Sequence, residues 1–190
     1  MVDVATGWCE CLILANRSQR QVSAAIERLR QRLPFPLLGI DSDNDSAFIN
    51  DNLFRYCKTE HITFTRSRPY KKNDQAHVEQ KNWTAVRQLI GYDRFESDQA
   101  LALFETIYQD WRLYINFFQP VLKLIDKHRV GSKVIKKYDT ARTPYQRVLE
   151  SPEVSEEDKD RLRQLYPTLN PVALRQQIDD NLDKLWKLAR

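Results

Sequence analysis

The order of its apolar runs constrains this chain more than any other feature. Residues 2–8 and 9–14 read as two short strands about a Thr6-Gly7 turn. Ser18 then caps a helix expected over residues 19–33, with Val22, Ala25, Ile26 and Leu29 on one face, and Pro34 and Pro36 end it. Residues 37–43 form a short strand in which Leu38, Ile40 and Ser42 point one way and Gly39, Asp41 and Asp43 the other. A helix over residues 46–60 follows, with Phe48, Leu53, Phe54 and Cys57 as buried candidates, and then a strand over residues 61–65. Asp74 caps a long helix that Gly91 stops after Ile90, and a further helix spans residues 97–118. Strand-strand-helix-strand-helix-strand-helix indicates the α/β class, a mixed sheet flanked by helices.

The remainder reads differently. Residues 123–145 are a basic linker or a small extended element, and two helices follow at residues 155–166 and 171–189. Asn170 and Pro171 supply the cap and first position of the last helix. Its Leu174, Ile178, Leu182, Leu185 and Ala189 recur at three and four residues, a seam that needs a partner surface. The expected division is a core over residues 1–122, a basic linker over 123–150 and a helical tail over 151–190.

Composition narrows the class of partner. With 42% hydrophobic and 29% charged residues the chain is an ordinary globular protein, and no apolar run approaches the roughly 18 residues of a membrane span. Its three cysteines, an odd number without an export signal, read as reduced thiols in a cytosol, and a Cys9-x-Cys11 pair makes a poor zinc site. The net charge of +4 is modest but concentrated: between Lys123 and Arg147, eight basic residues face only Asp126 and Asp139. A second cluster holds Arg66, Arg68, Lys71 and Lys72. Both suit a polyphosphate, although a solvated basic surface has the same composition.

Two carboxylates stand out. Asp43 ends a short apolar strand just before a helix, where open α/β sheets gather ligands and where an oxygen donor can hold a hard cation. Glu79 shares a helical face with Trp83, Val86 and Ile90, so its charge needs a cation or donors close by. Read alone, Asp43 also fits a turn-forming or capping aspartate, and Glu79 a salt bridge to Lys72 or an arginine.

Together, the segments IDSDNDSAF and RPYKKNDQAHVEQKN resemble the second and third acid motifs of the DDE superfamily of retroviral integrases and bacterial insertion-sequence transposases. The second-acid pattern there is D-N-G-x-E-F, and the 35 residues between Asp43 and Glu79 match the spacing of that superfamily. NFFQP at residues 116–120 and the segment YDTARTPYQRVL also resemble transposase sequences. The resemblance implies a ribonuclease-H-like sheet on which three carboxylates hold two Mg²⁺ or Mn²⁺ ions for DNA cleavage and strand transfer. It implies Asp43 and Glu79 as catalytic, metal-holding residues. Arg66, Arg68, Lys71, Lys72, Lys133, Lys136 and Lys137 would track phosphates of transposon ends and target DNA. Homo-oligomers or association with a full-length transposase, a nucleoid location and no membrane partner are implied with it.

The match departs at three places. Asp45 stands where the family has glycine and Ala47 where it has glutamate. Asp3 is a poor first acid, because only one further strand and one helix separate it from Asp43; residues 2–14 resemble instead the family's second and third strands. The first strand and its aspartate are therefore expected upstream of Met1, leaving a truncated and inactive form of the core. The alternative is a non-catalytic DNA-binding or dimerising remnant that modulates a full-length transposase through the C-terminal helices. A zinc deaminase, suggested by His77-Val78-Glu79, is excluded because no cysteine follows Cys57, and a Ser-His-Asp hydrolase because no G-x-S-x-G elbow occurs.

Overall fold

A computed structural model describes residues 1–16, 18–42, 51–66 and 82–189. The first ten residues form a tight antiparallel turn in which Val2 bridges Cys9, the Asp3 amide donates to the Trp8 carbonyl at 2.7 Å, and Gly7 takes φ 78°. The expected pair of strands thus shrinks to one bridge. Its hydrogen-bonding capacity goes elsewhere: Asn116 accepts from the Cys9 amide and donates to the Cys9 carbonyl, both at 2.8 Å.

Helix α1, Gln19–Arg32, is capped by the Ser18 hydroxyl, which accepts from the Gln21 amide, and it buries Val22, Ala25, Ile26 and Leu29 as its period predicts. Strand β1, Gly39–Ser42, pairs in parallel with β2, Thr63–Arg66, in the register Gly39↔Thr63 to Ser42↔Arg66. Helix α2, Asp51–Thr59, lies between them in sequence, making a strand–helix–strand crossover of the kind parallel pairing requires. Val22 and Ile26 of α1, Leu53 and Cys57 of α2, and Ile62 form one small core, with Ile40 and Phe64 packed on it. One expected burial fails: Phe54 is 57% exposed, because Leu53 and Cys57 at four-residue spacing already define the inward face. Phe48 lies outside the described residues.

The next helical elements described are a π-helix, Asn82–Arg87, and α3, Gln88–Ile90, which stops at Gly91 with φ 83°. The π stretch changes which residues face inward. Ala85, Leu89 and Ile90 are buried, whereas Trp83, an inward position on a 3.6-residue period, is 51% exposed. Trp111 fixes this arrangement by donating its indole N–H to the Ala85 carbonyl at 2.9 Å.

Helix α4, Asp98–Phe117, is the central element. Ser97 caps it, and its Ala100, Phe104, Ile107, Tyr108, Trp111 and Ile115 form the largest core with Ala85, Leu89 and Ile90. The C-terminal seam completes that core: Ile178, Leu182 and Leu185 of the last helix join it, so the partner surface of the seam is α4 of the same chain. Between these elements lie β3, Leu124–Val130, antiparallel to β4, Lys133–Tyr138, and then α5, Pro144–Glu150, and α6, Glu156–Leu165. The last helix, Pro171–Trp186, is α7, capped by Asn170. Helix α5 was not anticipated, although Thr143 and Gln146 form a capping box ahead of a buried Tyr145 and Val148. Tyr145, Val148, Val154 and Leu162 pack with Trp8 and Phe117 in a third core. Helices and two small two-stranded sheets thus make up the described molecule.

Candidate functional site

Because β1 and β2 run parallel, their carboxyl ends, Ser42 and Arg66, meet at one edge of the sheet. Asp43 follows Ser42 directly in the sequence. At this rim Ser42 is buried, and its hydroxyl has no hydrogen-bond partner among the described residues, while exposed Asp41 accepts from the Thr65 hydroxyl at 2.7 Å. Arg66 is exposed at the end of β2. Asp43, Glu79, Arg68, Lys71 and Lys72 lie outside the described residues, as does His77. Among the described residues no group of three or more histidine, cysteine, aspartate or glutamate side chains is arranged to hold a metal ion.

Asp3 has a local role. One of its carboxylate oxygens accepts from both the amide and the hydroxyl of Thr6 at 2.6 Å, which closes the N-terminal turn. Glu10 is also committed. Its side chain is fully buried, takes two bonds at 2.7 Å from the Arg112 guanidinium and accepts the Trp8 indole N–H at 2.9 Å. Both groups tie the N-terminal turn together or to α4.

The cysteines are free thiols. A hydrogen bond with Cys9, followed by burial, raises the Cys11 thiol well above its ordinary range, and burial alone raises Cys57. These are poor nucleophiles, since the thiolate is the reactive form.

Lys133, Lys136 and Lys137 all lie on β4, in a hairpin whose every residue is exposed. The register adds two cations that the sequence reading left out of the interface: Lys127 directly faces Lys136, and Arg129 faces Val134. The signal for them was the Gly131-Ser132 pair at a two-residue turn, with Gly131 at φ 60°. Asp139 and Arg147 lock the base of this hairpin. Asp139 accepts from the Lys123 amide and from Arg147, each at 2.7 Å, and Arg147 also donates to the Val121 carbonyl at 2.9 Å. Among the described residues, no helix is long and apolar enough to cross a membrane.

No family model matches the chain. It is 47% identical over 138 residues, 73% of its length, to the uncharacterized protein y4rM of Sinorhizobium fredii, and it spans 39% of that protein. Among solved structures, it is similar to the catalytic core domain of BIV integrase, with a TM-score of 0.49 and 24% identity over 78% of this chain and 82% of that one.

Proposed function

We propose that this chain is a DDE-type transposase or integrase core segment with a ribonuclease-H-like arrangement, acting on DNA through Asp43 and Glu79. The observation that carries the reading is the position of the acid motifs relative to the parallel pair. Asp43 is the residue after Ser42, the carboxyl end of β1, and Glu79 follows at the family's spacing, beyond a basic stretch of sequence that starts from the carboxyl end of β2. Loops beyond the carboxyl ends of parallel strands are where such sheets bind ligands. Two hard carboxylates there suit Mg²⁺ or Mn²⁺, which would supply activation of the attacking oxygen and stabilisation of the leaving one. Arg66 at the rim would face the phosphate backbone. The third carboxylate is not assigned to Asp3, whose oxygen is used by Thr6. DNA cleavage and strand transfer belong to the assembled protein, of which this chain supplies the Asp43 and Glu79 segments.

Affinity cleavage with Fe²⁺, ascorbate and peroxide tests the reading on the chain as it is. An iron ion held by both carboxylates should cut the backbone near residue 43 and near residue 79. Asp43→Asn or Glu79→Gln should remove both cuts together. Cutting at only one segment, or cutting indifferent to these substitutions, would mean that the two acids do not share an ion.

A further inference from the structure

Among the described residues, the side chains of the β3–β4 hairpin have little to do within the fold. All seven residues of β3 and all six of β4 are exposed, including Ile125, Val130, Val134 and Ile135. A two-stranded ribbon in water is marginally stable by itself. This one is held at its base by the Asp139–Arg147 pair and the bridge between Val121 and Arg142. Beyond that base, Lys127, Arg129, Lys133, Lys136 and Lys137 meet a single acid, Asp126. Among the described residues none of these five cations pairs with a carboxylate.

The register sorts them onto two faces. One carries Lys127, Arg129, Val134, Lys136 and Tyr138, and the other Asp126, His128, Val130, Lys133, Ile135 and Lys137. On the first face Lys127 stands directly opposite Lys136, an arrangement that disfavours the ribbon by like-charge repulsion. On the second, Asp126 faces Lys137 and also holds His128 at 3.1 Å, so the repulsion is confined to one side. A pair of facing ammonium groups with no acid between them is relieved by an anion lying across both. Apolar and basic residues alternate on each face, so neither is the segregated apolar face that a lipid surface selects.

We propose that the β3–β4 ribbon is a duplex-DNA-binding element that enters the major groove, with the Lys127, Arg129 and Lys136 face against the backbone phosphates. Dimensions support the fit. Two strands about 4.8 Å apart, with side chains on both faces, match a groove about 12 Å wide, which admits a two-stranded ribbon. The Gly131-Ser132 tip is narrow enough to lead, and Ile135, on the face away from the phosphates, is suited to thymine methyl groups. The inference deepens the DNA-processing reading but rests on other residues and another measurement. Iron cleavage at residues 43 and 79 uses no DNA, so either proposal can fail alone.

The test is fluorescence anisotropy of the whole chain with a duplex of about 30 base pairs, titrated over a range of salt. For Lys127→Ala combined with Lys136→Ala, the slope of log affinity against log salt should flatten by about 2, with affinity about tenfold or more weaker at fixed salt. Circular dichroism should stay unchanged, since both side chains are exposed. Lys136→Glu supplies the second arm: it places opposite charges across the strands, so Tm should hold or rise while DNA binding falls further. Duplexes with bulky 5-substituents on thymine, which fill the major groove, should bind weakly. Unaltered binding by the lysine variants overturns the proposal. So does equal affinity for double-stranded RNA, whose major groove is too narrow for side chains, or for anionic vesicles.

Discussion

The chain contains two antiparallel turns built alike and used in opposite ways. The first, in residues 1–10, and the second, between β3 and β4, each place a glycine at positive φ, Gly7 at 78° and Gly131 at 60°. In the first, Thr6, Trp8, Cys9 and Glu10 are buried, and α4 holds the segment through Asn116, Arg112 and an edge-to-face contact between Trp8 and Phe117 with centroids 5.6 Å apart. In the second, nothing is buried and, among the described residues, the firm attachment is at the base. The contrast teaches that backbone geometry does not decide whether a hairpin becomes scaffold or working surface. Side-chain chemistry decides it: an indole and a carboxylate with a waiting guanidinium draw one hairpin inward, and closely spaced cations keep the other in water.

The largest effect should come from cutting the inner hairpin's buried ion pair. Arg112→Ala leaves the fully buried Glu10 carboxylate without its guanidinium and should lower stability by about 3–5 kcal/mol in denaturant unfolding. Adding Glu10→Gln removes the stranded charge while keeping an acceptor for the Trp8 indole, and should recover part of the loss. A midpoint indifferent to Arg112→Ala would break the comparison, because the inner turn would then be no more anchored than the outer one. Next is Asn116→Leu, which strips partners from the Cys9 amide and carbonyl together and should cost about 2 kcal/mol. Faster hydrogen exchange at the Cys9 amide would show that the loss is local in origin.

The same contrast explains what could be read in advance. Where one face is buried, the code is plain: Val22, Ala25, Ile26 and Leu29 on α1 and Leu174, Ile178, Leu182 and Leu185 on α7 are all buried as their spacing predicts. Caps at Ser18 and Asn170 follow from residue type because their side chains satisfy otherwise orphaned amides. The ribbon read only as a basic linker or a small extended element because a strand exposed on both faces has no polar–apolar alternation to reveal it. Trp83 was misplaced because a π stretch departs from the 3.6-residue period, and no local residue signals that departure. NFFQP at residues 116–120 was legible only as a resemblance; its asparagine and first phenylalanine prove to be the grip of α4 on the inner hairpin. For the candidate site, motif chemistry and spacing singled out Asp43 and Glu79, whereas Lys127 and Arg129 needed the strand register that only pairing supplies.

A matched pair of glycine substitutions sharpens the comparison further. Gly7→Ala and Gly131→Ala each force an L residue into left-handed backbone, a cost of about 1–2 kcal/mol. At Gly7 the new methyl also meets Val121 Cγ2 at 3.3 Å, and at Gly131 it meets nothing within 4 Å. Gly7→Ala should therefore lower the global Tm. Gly131→Ala should leave the Tm nearly unmoved and speed amide exchange in β3 and β4 alone. Equal shifts in global Tm would mean that the ribbon unfolds with the core.

The smallest effect is expected at the ribbon's base, and acid should reveal it. The Arg147 guanidinium, with the Lys123 amide, holds the Asp139 carboxyl below the usual carboxylate range. A group whose pKa is depressed by folding contributes stability above its unfolded value, about 3.9, and loses it as pH falls through the folded value. The clamp should thus be complete at neutral pH and release below about pH 4, before the apolar core gives way. Amide exchange at Lys123 and Asp139 should rise over that window while the α4 amides stay protected. Asp139→Asn should abolish the pH step and show the released exchange rates already at pH 7. If the base amides instead open together with α4, the outer hairpin shares the cooperativity of the inner one, and the distinction between scaffold and working surface fails where the two regions join.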